Sequence, residues 1–380
     1  MNGVIILDKP AGWTSHDVVN RMRRILGQRS VGHLGTLDPL ATGVLPLVTG
    51  SLTRLAQFYT ASEKTYEGVI RFGFATNTYD ADGDPVGEET SPAPTLDQLQ
   101  TLAAEFQGVI EQIPPPFSAK KIHGVPAYKL ARKQQEVVLK PVQVEIKEFL
   151  ILAVEGGRAR FRARVSSGTY MRSVAHEMGQ RLGSGAHLES LRRTAVAEFE
   201  ITQAHTLEEI EGHIDNCHPS ESRSDQSDPC HPGLSFAFPQ GKGSEVEQPA
   251  VVCGGHSLRQ AQGKLCPPLS PPPTPSTEPR LSPGIESLFV HPRQLLPHFP
   301  SVTADEPTAA RIRSGRPINL PDLSRARQVK VFAGQSDLIA IATRVAGTLF
   351  HPKIVLATES QELARNKSGR KAPDSEGWNP

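Results

Sequence analysis

The 380-residue sequence is poor in cysteine, has no long apolar run and carries almost no net charge. Four cysteines in a chain of this length exclude a disulfide-stapled scaffold. Its apolar runs are a few residues long, far below the ~20 that a membrane-spanning helix needs. The opening MNGVIILDKP has no cationic stretch and carries Asp8 early. It is therefore expected to be neither a secretory leader nor a transit peptide, and the protein is expected in the cytoplasm. Lys and Arg number 41 against 40 Asp and Glu, a formal charge of +1. That balance excludes a histone-like polycation and an acidic chaperone-like tail. At roughly 100–200 residues per domain, the length predicts two or three domains.

What the sequence has in excess is proline, 33 residues, against a usual frequency of about 5%. The excess is local. Residues 212–286 hold 13 of the 33, with 10 serines and 8 glycines. Runs such as CPPLSPPP exclude helix and central strand, because proline lacks the N–H donor and fixes φ. A stretch of this composition cannot bury enough apolar surface to offset its ordering entropy, so it is read as a disordered insertion. All four cysteines, Cys217, Cys230, Cys253 and Cys266, lie inside it. Paired C-x-x-C spacing would point to zinc and is absent, so exposed thiols are expected there rather than a metal site. Charge sorts around the same segment. Residues 1–210 carry 23 basic and 23 acidic side chains, 212–286 carry 5 and 8, and 287–357 carry 9 and 4.

Periodicity predicts a strand at 4–7, then a helix that Ser15 can cap, with Val18, Val19, Met22, Ile25 and Leu26 inward and Gly27 beyond its end. A glycine-punctuated loop leads into 44–48, and Ser51 is expected to cap a second helix through Tyr59. Residues 64–74 alternate as a strand with Tyr66, Gly68, Ile70 and Phe72 on one face, followed by a turn at Asp82-Gly83-Asp84-Pro85. Thr95 can cap a helix, 142–154 and 158–165 read as strands, and 171–182 reads as a helix stopped by Gly183. The segment after the insertion reads as a small, mainly β module. With no repeating βαβ rhythm, the fold class expected is mixed α/β with a largely antiparallel sheet.

The stretch GHLGTLDPLATG at 32–43 is the most informative. Asp38 either opens an ordinary Asp-Pro turn or sits on a rigid loop between Leu37 and Leu40. In the second case its carboxylate is placed for work at an anomeric carbon, as in glycosidases.

The run GHLGTLDPLATGVLPLVTG resembles the signature of the TruB family, the tRNA pseudouridine-55 synthases. Four further blocks are similar to the family in the same order: ILDKPAGWTSHDVV, KTYEGVIRFGFATNTYDADGD, IPPPFSAKKIHGVPAYKLAR and SSGTYMRSVAHEMGQRLGSGAHLESLRR. Together they span residues 4–210, and 287–357 is more loosely similar to the PUA-like module that ends bacterial members. The resemblance implies a pseudouridine-synthase catalytic domain at 1–211 with a thumb-like RNA-binding segment at about 112–140. It also implies a PUA-like RNA-binding domain at 287–357; residues 212–286 depart from the pattern as an insertion where the family has a short connection, and 358–380 are expected to form a flexible tail.

Carried over residue by residue, Asp38 matches the family's catalytic aspartate and Tyr66 the tyrosine that stacks on the target base and is implicated in proton removal. Arg172 matches the arginine that pairs with the carboxylate, keeping it ionised and oriented. His33 matches the histidine associated with the flipped-out nucleotide, Tyr170 and Lys9 match positions near the site, and all three are candidate RNA contacts. Without the resemblance, Tyr66 reads as sheet core, Arg172 as a surface pair and His33 as a structural histidine.

Pseudouridylation breaks N1–C1′, rotates the uracil and rejoins it through C5–C1′. Neither electrons nor water are exchanged, so no cofactor or metal is expected. The carboxylate could attack C1′, attack C6 or deprotonate C2′, and the residues leave all three open. The nucleotide must leave its stack to be reached, which is easiest in an RNA loop. Lys120, Lys121, Lys129, Arg132 and Lys133 in the thumb-like segment are candidate RNA contacts. In the basic C-terminal module, Arg311 and Arg313 are candidates to grip phosphates. Arg158, Arg160, Arg162 and Arg164 form a row on one strand face, either a phosphate contact or a solvated face with acidic neighbours. The expected function is isomerisation of a tRNA T-loop uridine by a monomer that needs no protein partner and does not bind membranes. The alternatives are an RNA-binding or tRNA-folding module without catalysis and a guide-RNA-dependent relative acting on rRNA.

Overall fold

The computed structural model describes residues 1–90, 94–118, 139–213, 284–320 and 325–356, with Leu323 and part of 119–138. The expected insertion, apart from 212–213 and 284–286, its four cysteines and the expected tail lie outside the described residues.

The chain begins with β1 (Gly3–Lys9), α1 (Ser15–Ile25), β2 (Val31–His33), β3 (Thr42–Thr49), α2 (Ala56–Tyr59) and β4 (Lys64–Phe72). Two short strands, β5 (Ala75–Thr76) and β6 (Pro85–Val86), precede α3 (Leu96–Glu105) and β7 (Gly108–Gln112). The hairpin β8 (Lys121–Ile122) and β9 (Val125–Pro126) leads to the long strands β10 (Val142–Glu155) and β11 (Arg158–Val165). After them come α4 (Met171–Arg181), β12 (Ala186–Val196), β13 (Phe199–Glu200) and α5 (Leu207–Glu211). The last part holds β14 (Phe289–Val290), β15 (Ser301–Ala304), α6 (Glu306–Arg313), β16 (Ile318–Asn319), β17 (Gln328–Ala333), β18 (Asp337–Ala346) and β19 (Leu349–Val355).

Ten strands form one sheet in the order β14-β1-β3-β12-β4-β11-β10-β7, with β2 beside β3 and β13 beside β12. Its pairings among the described residues are antiparallel except one. Where β3 meets β12, Thr42 and Gly43 pair in parallel with Arg192 and Arg193. That short parallel contact is a seam joining two antiparallel halves, β14-β1-β3 and β12-β4-β11-β10-β7.

The strands behave as their side-chain alternation demands. Along β11, Ala159, Phe161, Ala163 and Val165 are buried and the four arginines between them face out. Tyr66, Ile70 and Phe72 of β4 point the same way as Phe161, into a core closed by α1, α3 and α4 through Met22, Leu99 and Val174. Aromatic burial of this kind stabilises by about 1.5–3 kcal/mol per side chain.

Two capping expectations shift. Thr14, not Ser15, caps α1 in a reciprocal capping box with Asp17. Ser15 is one residue further in and its hydroxyl is buried. Ser51 does not open α2; it lies inside a 3₁₀ turn, Gly50–Leu55, that precedes the single helical turn of α2. Thr95 caps α3 as its position predicts.

The C-terminal sheet runs β15-β17-β18-β19-β16, and among the described residues only β15 and β17 pair in parallel. One helix, α6, packs on it through Ala309 and Ile312. Its other face is not independent of the first sheet. Phe332 and Ile341 share a core with Val4, Ile6, Val44 and Val48. The chain returns at β14, which pairs with β1, and Ile285 enters the main core beside Ile5. The described residues thus form one compact unit.

Candidate active site

The loop that enters β3 carries Asp38, and almost every peptide around it is held. Ser15 accepts a hydrogen bond from the Leu37 amide at 2.8 Å and donates one to the Leu37 carbonyl at 3.2 Å. The Pro39 carbonyl accepts from the Gly12 amide at 2.9 Å and from Lys9 Nζ at 3.3 Å. The Ala41 amide closes a turn on the Asp38 carbonyl at 3.1 Å. Arg193 reaches the Gly35 and Thr36 carbonyls at 3.0 and 3.1 Å. Leu37 is buried, and the Asp38 side chain remains 40% exposed. The open alternative is thereby narrowed: the Asp-Pro turn exists, and it is also a rigid mount for a reachable carboxylate.

Arg172 opens α4, one residue past its N-terminus at Met171. Its Nη2 lies 2.8 Å from an Asp38 carboxylate oxygen and donates to the Phe117 carbonyl at 3.0 Å. Its Nη1 lies 3.3 Å from Asp80 and donates to the Thr78 carbonyl at 3.2 Å. The guanidinium is 6% exposed and Asp80 is 8% exposed, so this is a buried two-carboxylate clamp and not a surface pair. Asp80 is itself fixed, accepting from the Thr78 hydroxyl at 2.5 Å and the Asp82 amide at 3.2 Å. Burial, then the negative charges of Asp80 and Asp38, push the Asp82 carboxyl above its usual pKa, with Arg172 opposing. Tyr170, just before α4, has its main chain fastened on both sides by the buried amide of Gln112, at 2.8 and 3.1 Å. Burial and then the Asp38 charge push its phenol up.

Tyr66 lies directly across the sheet from Arg193, in register on β4 and β12. It is buried with the sheet core, and its register partner Arg193 is the residue that reaches the Asp38 loop. Arg193 is 1% exposed and its acceptors are the main-chain carbonyls of Val44, Thr36 and Gly35. Burial lowers its pKa; Tyr66 and then Asp38 work against that shift. Lys64, at the head of β4, is held down to about 8 by burial and by Arg193.

His33 ends β2, and its Nδ1 accepts from the Gly35 amide at 3.3 Å. Burial, with Arg193 and His16 nearby, lowers its pKa to about 4, so at neutral pH the ring is uncharged. Lys9 is placed differently from the expectation of an RNA contact. It is 0% exposed and its ammonium donates to the carbonyls of Trp13, Pro10 and Pro39 at 2.6, 2.8 and 3.3 Å. It ties two loops together and presents no donor to solvent. Burial is the main reason its pKa falls to about 8.

A fixed, half-exposed carboxylate beside a buried guanidinium suits attack on, or proton removal from, a ribose carbon. Models of known families recognise the same segments. Residues 23–171 match the TruB family pseudouridylate synthase N-terminal domain, and 172–226 match the tRNA pseudouridylate synthase B C-terminal domain. The chain is 44% identical over 360 residues to tRNA pseudouridine synthase B of Solibacter usitatus (strain Ellin6076), covering 94% of this chain and all of that protein. It belongs to the TruB family. A further relative, tRNA pseudouridine synthase B of Thermobifida fusca (strain YX), is 47% identical over 219 residues, 55% of this chain and 74% of that protein. Among solved structures, a chain of a Cbf5-Nop10-Gar1 complex superposes with a TM-score of 0.56 at 21% identity, covering 94% of this chain and 84% of that one. At that identity the likeness concerns the fold.

The remaining RNA candidates of this TruB-family chain are dispersed. Lys120 is exposed beside the β8–β9 hairpin. The side chain of Lys121, and Lys129 and Arg132 altogether, lie outside the described residues. Arg311 and Arg313 sit in the last turn of α6, where cations complement the helix carboxyl end. Both are already engaged, Arg311 with the Pro317 carbonyl at 3.0 Å and Arg313 with Glu306 at 3.1 Å.

Reading the sequence without the fold missed Ser15, Asp80 and Arg193. Asp80 and Arg193 stand inside family-like blocks, DADGD and LESLRR, yet nothing in their spacing tells that one fold point gathers them. Ser15 looked like a helix cap, because a serine there fits that role equally well.

Proposed function

We propose that this protein isomerises a specific uridine of the tRNA T-loop, the position-55 uridine of its family, to pseudouridine. The observation that carries the reading is the Asp38–Arg172 pair at 2.8 Å, with Asp38 reachable and its loop pinned. The uridine leaves its stack and presents its glycosidic bond to Asp38. N1–C1′ breaks, the uracil turns, C5–C1′ forms, and the proton lost from C5 is matched by one gained at N1. Asp38 serves as nucleophile or base at the sugar or at C6. Arg172 orients it through a charge-assisted hydrogen bond. Tyr66 stacks on the base and assists proton removal from C5. His33, uncharged at neutral pH, acts by shape rather than charge, filling the space the flipped nucleotide vacates. Lys120, exposed beside the β8–β9 hairpin, holds a phosphate.

The test is tritium release from 5-tritiated uridine in a tRNA transcript, with wild type and Asp38→Asn compared. Release by the wild type that vanishes in Asp38→Asn is expected. Release that persists in the variant removes Asp38 from its role. No release by the wild type on any tRNA, with binding retained, leaves a binding module in place of an enzyme.

A further inference from the structure

The loop from Gly35 to Val44 carries Asp38, and one residue on the far side of the seam holds both of its ends. At the outgoing end, Gly43 pairs in parallel with Arg193 and has a φ of +99°. A Cβ at Gly43 would lie 2.2 Å from the Arg193 carbonyl oxygen, so the two backbones touch. Beyond it, Arg193 Nε donates to the Val44 carbonyl at 2.8 Å. At the incoming end, the two terminal nitrogens of the same guanidinium take the Thr36 and Gly35 carbonyls. On the other flank of β12, Arg193 is the direct cross-strand partner of Tyr66.

The choice of residue type is informative. Arg193 is 1% exposed and rests on carbonyls, and among the described residues no carboxylate pairs with it directly to offset its desolvation. It reaches the Val44, Thr36 and Gly35 carbonyls with three different nitrogens of one planar fork, a spread of donors in fixed directions that a lysine's single nitrogen at the same position does not offer. The neighbouring Arg192 makes the contrast: it faces the opposite side of the sheet, is 43% exposed and pairs with Asp8 at 2.6 Å.

We propose that Arg193 is a positioning residue for the isomerisation, the clip that fixes the Asp38 loop relative to Tyr66 across the seam. It touches neither solvent nor substrate, and acts by keeping the carboxylate and the phenol in one geometry. Displacement of a reacting group by about 1 Å costs about 100-fold in rate, so loosening this clip should be felt in the chemical step and not in tRNA binding. The inference rests on the proposed isomerase reading, and one arm of its test does not depend on activity.

The experiment compares wild type, Arg193→Lys, Arg193→Met and, as a control on the opposite sheet face, Arg192→Ala. Hydrogen exchange of the folded proteins reads the loop directly. In Arg193→Lys the amides of Gly35, Leu37 and Ala41 should exchange about tenfold faster or more, while β17 and β18 keep wild-type protection. Single-turnover tritium release should fall about 100-fold in Arg193→Met, less in Arg193→Lys, with tRNA affinity unchanged. Combining Arg193→Lys with Tyr66→Phe should cost less than the product of the two single losses, because both disturb one arrangement. Arg192→Ala should leave loop exchange and rate as in wild type. The proposal is overturned if loop exchange in Arg193→Lys matches wild type. It is equally overturned if exchange accelerates throughout the sheet, or if rate and tRNA affinity fall together. If Arg193→Met does not fold, Arg193→Lys alone decides. Failure of the wild type to release tritium would sink the isomerase reading and leave the exchange result standing.

Discussion

Two sets of cations in this protein look alike in a composition table and behave in opposite ways. Lys9, Arg172 and Arg193 gather around the Asp38 loop beside the seam of the large sheet, each almost fully buried and each bonded to main-chain carbonyls of the loops that build the site. Arg158, Arg160, Arg162 and Arg164 stand in a row on the outer face of β11. Arg158 meets both oxygens of Glu189 at 2.8 and 2.9 Å, Arg164 is 3.8 Å from Glu63, and Arg162 is in register with Glu67. Exposed pairs of this sort contribute about 0.2–1 kcal/mol each. A buried cation that loses its partners, or whose partners lose it, costs several times more. The row is conspicuous to the eye and inexpensive; the seam cations are scattered over the sequence and carry the architecture.

The contrast is most exposed to failure at Arg172. Arg172→Met would leave Asp80 buried and unpaired and Asp38 without its anchor. The expected loss is about 3–5 kcal/mol of stability, together with tritium release reduced to background even where the protein still folds in the cold. Urea denaturation and single-turnover assays on the same preparation check both. A variant of near wild-type stability and rate would place the seam cations with the surface row.

Gly43→Ala tests the seam without touching a charge. The added methyl meets the Arg193 backbone at a separation no real contact allows, at a φ that alanine rarely adopts. Overpacking and backbone strain together predict a loss of about 2–4 kcal/mol and slowed turnover, because the parallel pairing must open. Gly12→Ala is the matched control, since its φ of +80° carries the conformational penalty but a Cβ there meets nothing within 4 Å. Equal thermal midpoints for the two variants would show that the backbone contact at Gly43 contributes nothing.

How much of this was legible beforehand follows from the same division. Period-two alternation marked β4 and β11, because one face of each is solvated while the other packs on helices. Thr95 announced its helix through a local hydrogen-bond pattern. Asp38, Tyr66 and Arg172 were reached through family-like motifs; Asp38 and Arg172 meet at 2.8 Å, and Tyr66 lies in register with Arg193. What stayed hidden depends on contacts between residues far apart in the chain. Ser15 bonds Leu37 across 22 positions, Arg172 meets Asp80 across 92, and Arg193 reaches Gly35 across 158. A serine near a helix start, an aspartate in a turn and an arginine in a strand each have an ordinary local explanation. The parallel pairing of β3 with β12 brings Arg193 to the Asp38 loop, a separate bridge to Leu188 holds the Asp80 turn, and no local pattern encodes either. Lys9 illustrates the same limit from the other side: its motif position is beside the site, and burial converts it from a candidate RNA contact into a tie between loops.

His33 offers a gentler probe through pH. Its pKa is about 4 in the folded protein, against about 6.5 for a free histidine. Between those values the unfolded chain binds the proton and the folded one does not, so His33 makes stability rise as pH increases from about 4 to about 6.5. His33→Gln should flatten that part of the curve relative to wild type in urea midpoints measured at successive pH values. Above pH 7 the two curves should run parallel, since the ring is neutral in both states. A pH dependence in His33→Gln as steep as in wild type would mean that the ring is less shielded than its burial and the nearby Arg193 charge imply.

The smallest effect belongs to the outer row. Arg158→Ala and Arg162→Ala remove side chains that sit in water opposite acids, and each should move stability by no more than about 0.5 kcal/mol. The sharper measurement is the dependence of tRNA affinity on salt. Each arginine that neutralises a phosphate adds close to one unit to the slope of log affinity against log salt, somewhat less on single strands. If the row is a solvated face whose charge is already met by Glu189, Glu67 and Glu63, the slope of the double variant should equal that of wild type. A slope shallower by about two would mean that the acids release their arginines to the RNA. The boundary between the two sets of cations would then no longer follow burial alone, because exposed residues would carry part of the binding while the seam carried the chemistry.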